Sequence, residues 1–236
     1  MNSKVWVNLN TYNESENIAD IIKAILHVPL PDMTLCVVDD NSPDGTGQIA
    51  EGLKPQYANL EVIHRPEKQG VGPAYQSGFG LGLSLGADYY IQIDADFSHD
   101  PMDILKLLKA AETARVVTGS RYVAGGGVEA VPWWRDLISR WGNYYIKSKL
   151  DLPVLDVTSG YMLYHRMVLE RIGLATMASK GYAWQIEMKT RARRLGFTFA
   201  EVPIIFHKRI RNKSKFKMEI IWECLYQVKR LRHESN

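Results

Sequence analysis

Over its first half the chain alternates between short apolar runs and longer stretches of helical spacing, and that alternation limits the fold more than any single motif. VWVNL (5–9), TLCVVDD (34–40), LEVIH (60–64), DYYIQID (88–94) and RVVTGS (115–120) read as strands. Between them, residues 16–26, 44–54, 72–85 and 100–112 carry helical periodicity. Strands that alternate with helices are joined as βαβ units, so the sheet is expected to be mainly parallel with helices on both faces. The expected class is α/β.

In such sheets ligands bind outside the carboxyl ends of the strands. Thr11, Tyr12 and Glu14 follow the first strand, Asp39 and Asp40 close the second, and Asp94, Ala95 and Asp96 close the fourth. Alternation turns Asp94 and Asp96 to the same side. Two hard carboxylates with room for water and phosphate oxygens suit Mg²⁺ or Mn²⁺. Asp100, followed by Pro101, reads instead as a helix cap. Turn chemistry accounts for Asn41, Ser42 and Asp44 but not for two acids directly after an apolar strand, and a carboxylate there can accept from a base edge or a ribose hydroxyl. Arg121 follows the fifth strand, and Arg209 follows the apolar run VPIIFH (202–207) in the same way. Cations at the mouth of an acidic site can clamp phosphate oxygens. Most of the other basic residues, Arg140 and Lys147 among them, read as solvated surface.

Several familiar nucleotide folds are excluded. GVGPAYQSGFGLG (70–82) has Tyr75 where a dinucleotide fingerprint needs its third glycine, and it does not follow the first strand. Neither a phosphate-binding GxxxxGK[ST] nor a GxSxG nucleophile turn is present. The Gly-rich basic loop of a nucleotidyltransferase is replaced by NTYNESEN (10–17).

The second half is less regular. Residues 131–150 form an aromatic, basic, amphipathic stretch, 156–166 and 197–209 read as strands, the latter interrupted by Pro203, and a basic helix ends the chain. Trp134, Ile138, Trp141 and Tyr145 share one helical face, and Met218, Ile221, Trp222, Leu225 and Val228 share another. Both patterns fit a membrane-surface helix and a helix packed on its own core.

With 236 residues, 46% hydrophobic and 23% charged, the composition is that of one soluble globular domain, expected over 1–215, with 216–236 a basic helix that joins it or lies peripheral. The net charge of +3 is uneven: residues 207–236 hold nine Lys or Arg against three Glu, and the remainder 20 against 23 acids. A basic tail on a mildly acidic body points to an anionic partner or surface. The N-terminal residues lack a signal-peptide pattern, no run is long enough to span a bilayer, and Cys36 lies in an apolar run as a buried reduced thiol. The expectation is a cytoplasmic protein.

The words TYNE (11–14), VVDDNSPDGT (37–46), AYQSGF (74–79), DADFSHDP (94–101), GSRYVAGG (119–126), WWRDLISRWGN (133–143), DVTSGY (156–161), YAWQIEM (182–188) and RIRNKSKF (209–216) run in order along nearly the whole chain. As a set they resemble the family-2 glycosyltransferases, and within them the dolichol-phosphate (polyprenol-phosphate) mannose synthases. The resemblance implies a GT-A fold, a single doubly wound αβα domain with a mainly parallel central sheet and a DXD metal motif. Tyr12, Glu14 and Asp40 would hold the nucleotide with help from Asp39, with Thr11 and Ala95 beside them. Asp94 and Asp96 would bind Mg²⁺ or Mn²⁺, with Ser98 as a further ligand. Arg121, Arg135, Ser139, Arg209 and Lys215 would contact donor or acceptor phosphates, while Gln185 and Glu187 line the sugar pocket. It further implies GDP-mannose as donor and a polyprenyl phosphate as acceptor, with inversion to a β-linked product. It also implies peripheral attachment to the cytoplasmic face of a membrane, a small membrane-embedded partner subunit, and no nucleic acid. Asn10, Phe97 and Asn212 depart from the family pattern without removing a metal or phosphate ligand. The residues leave open a UDP-sugar such as UDP-glucose, a non-lipid acceptor, or a sugar-nucleotide-binding module without turnover.

Overall fold

The computed structural model describes residues 3–129, 131–181, 183–207 and 218–233. Within them β1 (Val5–Thr11), β2 (Met33–Asp39), β3 (Leu60–His64), β4 (Tyr89–Asp94) and β5 (Val116–Ser120) fall where the apolar runs place them. The helices α1 (Ile18–Leu26), α2 (Thr46–Leu53), α3 (Val71–Ser84) and α4 (Ile104–Ala110) intervene. The second half adds β6 (Gly127–Val128), α5 (Trp133–Leu150), β7 (Met162–His165), α6 (Arg166–Arg171), α7 (Trp184–Arg194), β8 (Phe199–Pro203), β9 (Ile205–Phe206) and α8 (Met218–His233).

Seven strands form one sheet in the order β3-β2-β1-β4-β7-β5-β8. Only β7 runs antiparallel, wedged between β4 and β5. The strand expected over 156–166 is confined to its last residues, because 156–161 form a loop whose backbone is engaged by side chains at the site. The strand expected over 197–209 divides after Pro203, which has no N–H to donate to a ladder. The chain then leaves the main sheet, and β9 pairs with β6.

Strand alternation sorts the side chains into two cores. Val5, Val7 and Leu9 of β1 face Ile18, Ile22 and Ile104 on one side, while Trp6 joins Tyr75, Phe79, Tyr90 and Trp184 on the other. Each fully buried aliphatic side chain contributes about 1.5–3 kcal/mol. The glycine-rich run of 70–82 is explained by contact. A β-carbon at Gly78 would lie 1.6 Å from Asn8 Oδ1, and one at Gly82 would lie 2.8 Å from the Trp6 ring. These glycines seat α3 directly on the sheet. A third core, with Ile146 and Leu150 of α5, Ile186 of α7 and Val228 and Leu231 of α8, closes the C-terminal half.

Candidate active site

The sheet order makes β2, β1 and β4 neighbours, so three acid-bearing strand ends share one rim. Thr11 is in register with Asp39, and Asn10 with Asp94. Asp39 is buried and accepts from Thr11 Oγ1 at 3.2 Å, Ser42 N at 3.0 Å and Ser42 Oγ at 2.5 Å. Both of its oxygens therefore shape the loop after β2. Asp40 points elsewhere, into a buried ion pair with Arg65, whose Nη2 also donates to Gln69 at 2.8 Å. Burial raises the Asp40 pKa, against the pull of Arg65. Lys68 lies 3.5 Å above the Tyr12 ring, a cation–π contact. Glu14 is buried, accepts from Asn17 Nδ2 at 2.9 Å, and its carbonyl accepts from Ile18 N at 2.8 Å to start α1. Arg65 and Lys68 were not singled out in the sequence, since basic residues in a loop carry no periodic signal.

The acidic loop follows β4. Asp94 keeps 43% of its side chain exposed, whereas Asp96 is buried and accepts from Ser98 N at 3.0 Å. Phe97, directly after Asp96, has φ +59°, a conformation non-glycine residues seldom adopt. Asp100 caps the following turn by accepting from Met102 N at 2.9 Å, as expected. His99 is buried on Tyr161, ring centroids 4.9 Å apart, with Nδ1 3.8 Å from Asp94 Oδ2. Burial pushes its pKa down to about 4, against the raising effect of Asp96, so it is neutral at physiological pH. Ser98 Oγ and His99 Nδ1 are buried without hydrogen-bond partners among the described residues. The donor set fits a hard divalent cation: two carboxylates, one accessible, and a hydroxyl oxygen with unused lone pairs. No cluster of three or more His, Cys, Asp or Glu is placed to cage a metal among the described residues, so phosphate and water must complete the shell.

Across from the acids, the second half builds a wall in which charges are already paired. Arg121 grips the fully buried Asp156 with two side-chain bonds, Nε to Oδ2 and Nη2 to Oδ1, both 2.7 Å, and Nη2 also reaches Thr158 Oγ1 at 3.0 Å. Burial opposes both charges, yet the pair holds Asp156 below the ordinary carboxylate range and Arg121 above its usual value. Lys189, wholly buried, donates to the carbonyls of Val157 at 2.9 Å and Ser159 at 3.2 Å, and burial lowers its pKa to about 7. Ser139 accepts from Tyr122 OH at 2.7 Å, tying α5 to the strand that carries Arg121.

The residues around α7 divide in role. Gln185 approaches the acidic loop: a β-carbon on Gly160 would lie 3.7 Å from both Asp94 oxygens and from Gln185 Nε2. Glu187 does not line an open pocket. It is fully buried, accepting from Arg191 at 2.7 Å and Ser179 N at 2.8 Å, with Arg230 of α8 at 2.8 Å. Against burial, the Ser179 bonds and Arg230 hold its pKa below the usual value. Arg135 is exposed on α5, its guanidinium 5.2 Å from the Trp134 ring. Arg209 and Lys215 lie outside the described residues.

The outer face of α5 is apolar and open. Trp133, Trp141 and Tyr144 are 78%, 71% and 70% exposed, and Trp134, Leu137 and Ile138 join them, while Asn143, Ile146 and Leu150 face inward. Tyr145, expected on the outer face, is half-buried instead. Among the described residues no helix is long and apolar enough to cross a membrane.

Comparison with known proteins agrees with this geometry. Residues 7–173 match the model of glycosyl transferase family 2. The chain is 41% identical over 227 residues to a polyprenol monophosphomannose synthase of Mycolicibacterium smegmatis, covering 95% of this chain and 85% of that one. It is 39% identical to an undecaprenyl-phosphate mannosyltransferase of Micrococcus luteus, covering 96% of this chain and 93% of that one. Among solved structures, glucosyl-3-phosphoglycerate synthase from Mycobacterium tuberculosis, in complex with Mn²⁺, UDP and glucosyl-3-phosphoglycerate, superimposes with a TM-score of 0.68. It is 20% identical, covering 97% of this chain and 78% of that one, and shows the shared GT-A fold. The chain belongs to glycosyl transferase family 2.

Proposed function

We propose that this glycosyltransferase moves mannose from GDP-mannose to a polyprenyl phosphate, with inversion to a β-linked mannosyl phosphate lipid. One observation carries the reading: α5, whose outer face is aromatic and exposed, is hydrogen-bonded to the segment around Arg121 and to the 156–161 loop, and Gly160 of that loop lies against Asp94. Tyr122 bonds Ser139 of α5, Asn143 of α5 bonds Thr158, and Thr158 bonds Arg121. A water-soluble nucleotide sugar and a bilayer-borne phosphate therefore have adjoining places to bind. The relatives named for polyprenol and undecaprenyl phosphate supply the sugar and the acceptor class.

Asp94 and Asp96 would hold Mg²⁺ or Mn²⁺, with Ser98 Oγ within the same loop, and relatives of this fold bind those ions. When bound, the ion neutralises charge on the diphosphate leaving group. Tyr12, Glu14 and Asp40 frame the nucleotide end. Arg121, held in place by Asp156, and Arg135 bring cations to the phosphate side, where fixed positive charge stabilises a developing anion. The acceptor is a phosphate monoester with a second pKa of about 6, so it is dianionic near neutrality. Its oxygen attacks the anomeric carbon as the bond to the diphosphate breaks, and no side chain has to remove a proton. His99, buried and neutral, packs on Tyr161 behind the acidic loop and is not needed as a base. The aromatic face of α5 with Arg135 and Arg140 suits the headgroup layer, where aromatic rings and basic side chains both bind well. In this reading the protein works peripherally, on the cytoplasmic face of a membrane.

Transfer of labelled sugar into solvent-extractable lipid tests the reading, with GDP-mannose and UDP-glucose offered in parallel to a polyprenyl phosphate in detergent with Mg²⁺. Label from GDP-mannose alone, abolished by EDTA and by Asp96→Ala, is the expected result. Label from UDP-glucose alone contradicts the mannose assignment. Metal-dependent GDP binding without transfer would indicate a required partner subunit.

A further inference from the structure

Beneath Asp94, inside the α3–α7 side of the sheet, lies a set of buried amides that an apolar core would not need. Asn8 and Gln92 are in register across β1 and β4, as are Asn10 and Asp94 directly above them. Gln92 is fully buried. Its Nε2 donates to the Gly160 carbonyl at 2.9 Å and to Gln185 Oε1 at 2.5 Å.

The orientation of both amides follows from one fixed point. A backbone carbonyl only accepts, so the end of Gln92 that meets Gly160 O must be its NH₂ group. The second hydrogen of that NH₂ points to Gln185, which must then offer its own oxygen. Gln185 is thereby left with its NH₂ end toward Gly160 and Asp94, where the glycine leaves space that a β-carbon would fill. Gln92 achieves this at a cost, because its own Oε1 is buried with no partner among the described residues. An unbonded buried acceptor is expected where orientation matters more than local stability.

We infer that Gln92 is a positioning residue that locks the Gln185 amide so that it presents N–H donors, not a carbonyl, beside Asp94, and that those donors bind a hydroxyl of the transferred sugar. This rests on the glycosyl-transfer reading above and sharpens it. It also assigns the sugar contact to Gln185 rather than to Glu187, whose carboxylate is already saturated.

The test is a double-mutant cycle on binding, using Gln92→Met, Gln185→Met and the pair, with calorimetric affinities for GDP-mannose and for GDP in Mg²⁺. Each single variant should weaken GDP-mannose by about tenfold, the scale of one hydrogen bond, and GDP by less than about twofold. The double variant should be no weaker than Gln185→Met alone, because Gln92 acts only through Gln185. Equal weakening of both ligands, or additive effects, would overturn the inference by making Gln92 a general packing residue. Should Gln92→Met fail to fold, an unchanged GDP-mannose affinity in Gln185→Met would overturn it alone. If the parent protein binds UDP-glucose instead, the mannose reading fails separately, and the same cycle is read with UDP-glucose against UDP.

Discussion

Two helices in the C-terminal half, α5 and α8, share a composition of aromatics and bases yet meet opposite fates. On α8, Val228 and Leu231 turn inward and pack against Ile146, Leu150 and Ile186. Leu225, expected on the same stripe as Val228, is instead exposed. On α5 the inward side is narrow, and a broad aromatic face is left open. Helical spacing alone does not separate these outcomes, since a stripe says that one face will be dry and not what dries it. In α5 the uncovered face gathers six large exposed side chains, Trp133, Trp134, Leu137, Ile138, Trp141 and Tyr144, the kind of contiguous apolar patch that marks a surface or partner. Under the proposed function the occupant of this face is a lipid surface.

The contrast can be broken from either side. Leu231→Ala should cost about 2–5 kcal/mol through a cavity in the third core, lowering Tm by roughly 5–20 °C. Vesicle binding by the folded fraction should be unchanged. Glu187→Ala removes the anion shared by Arg191 and Arg230, so α7 and α8 lose their tether. Because both arginines are partly exposed, a loss of about 2–3 kcal/mol is expected in urea denaturation. Trp133→Ser with Trp141→Ser should behave in the opposite way. Tm should move by no more than about 2 °C, while affinity for anionic vesicles in a sedimentation assay falls by at least about tenfold.

A pH-dependent effect concerns Lys189, whose pKa drops from 10.5 to about 7 through burial. Between those values the unfolded chain carries the proton and the folded one does not, so stability should rise with pH across that window and be lost as pH falls through 7. Asp156 and Glu201 oppose the shift and Arg121 adds to it. Lys189→Met should flatten the difference in urea midpoint between neutral pH and about pH 9 that this group produces.

How much of this was legible beforehand depended on how each residue is used. The strands β1 to β5 were readable because their apolar runs are short and bounded by turn residues. Asp39, Asp40, Asp94 and Asp96 stood out because charges directly after buried strands have no structural excuse. The helix α7 escaped notice: residues 184–190 are all buried, the polar Gln185, Glu187, Lys189 and Thr190 included, so no apolar period marks its dry side. The antiparallel β7 was equally hidden, since orientation is set by long-range pairing. Lys189 and Gln92 are polar residues deep in the protein, and only their partners reveal their role. The family resemblance implied a sugar contact for Glu187, but Ser179, Arg191 and Arg230 engage its carboxylate, and the pairing with Arg230 of α8 has no local signal in the sequence.

The most direct measurement of the central claim, that donor site and lipid-facing helix work as one site, is mannose transfer to two acceptors compared side by side. One is a long-chain polyprenyl phosphate in anionic vesicles, and the other is a short, water-soluble analogue. Asp96→Ala should be silent with both, while Trp133→Ser with Trp141→Ser should lose transfer in vesicles and keep it with the soluble analogue. Undiminished vesicle transfer by the tryptophan variant, or residual full activity in Asp96→Ala, would contradict the account.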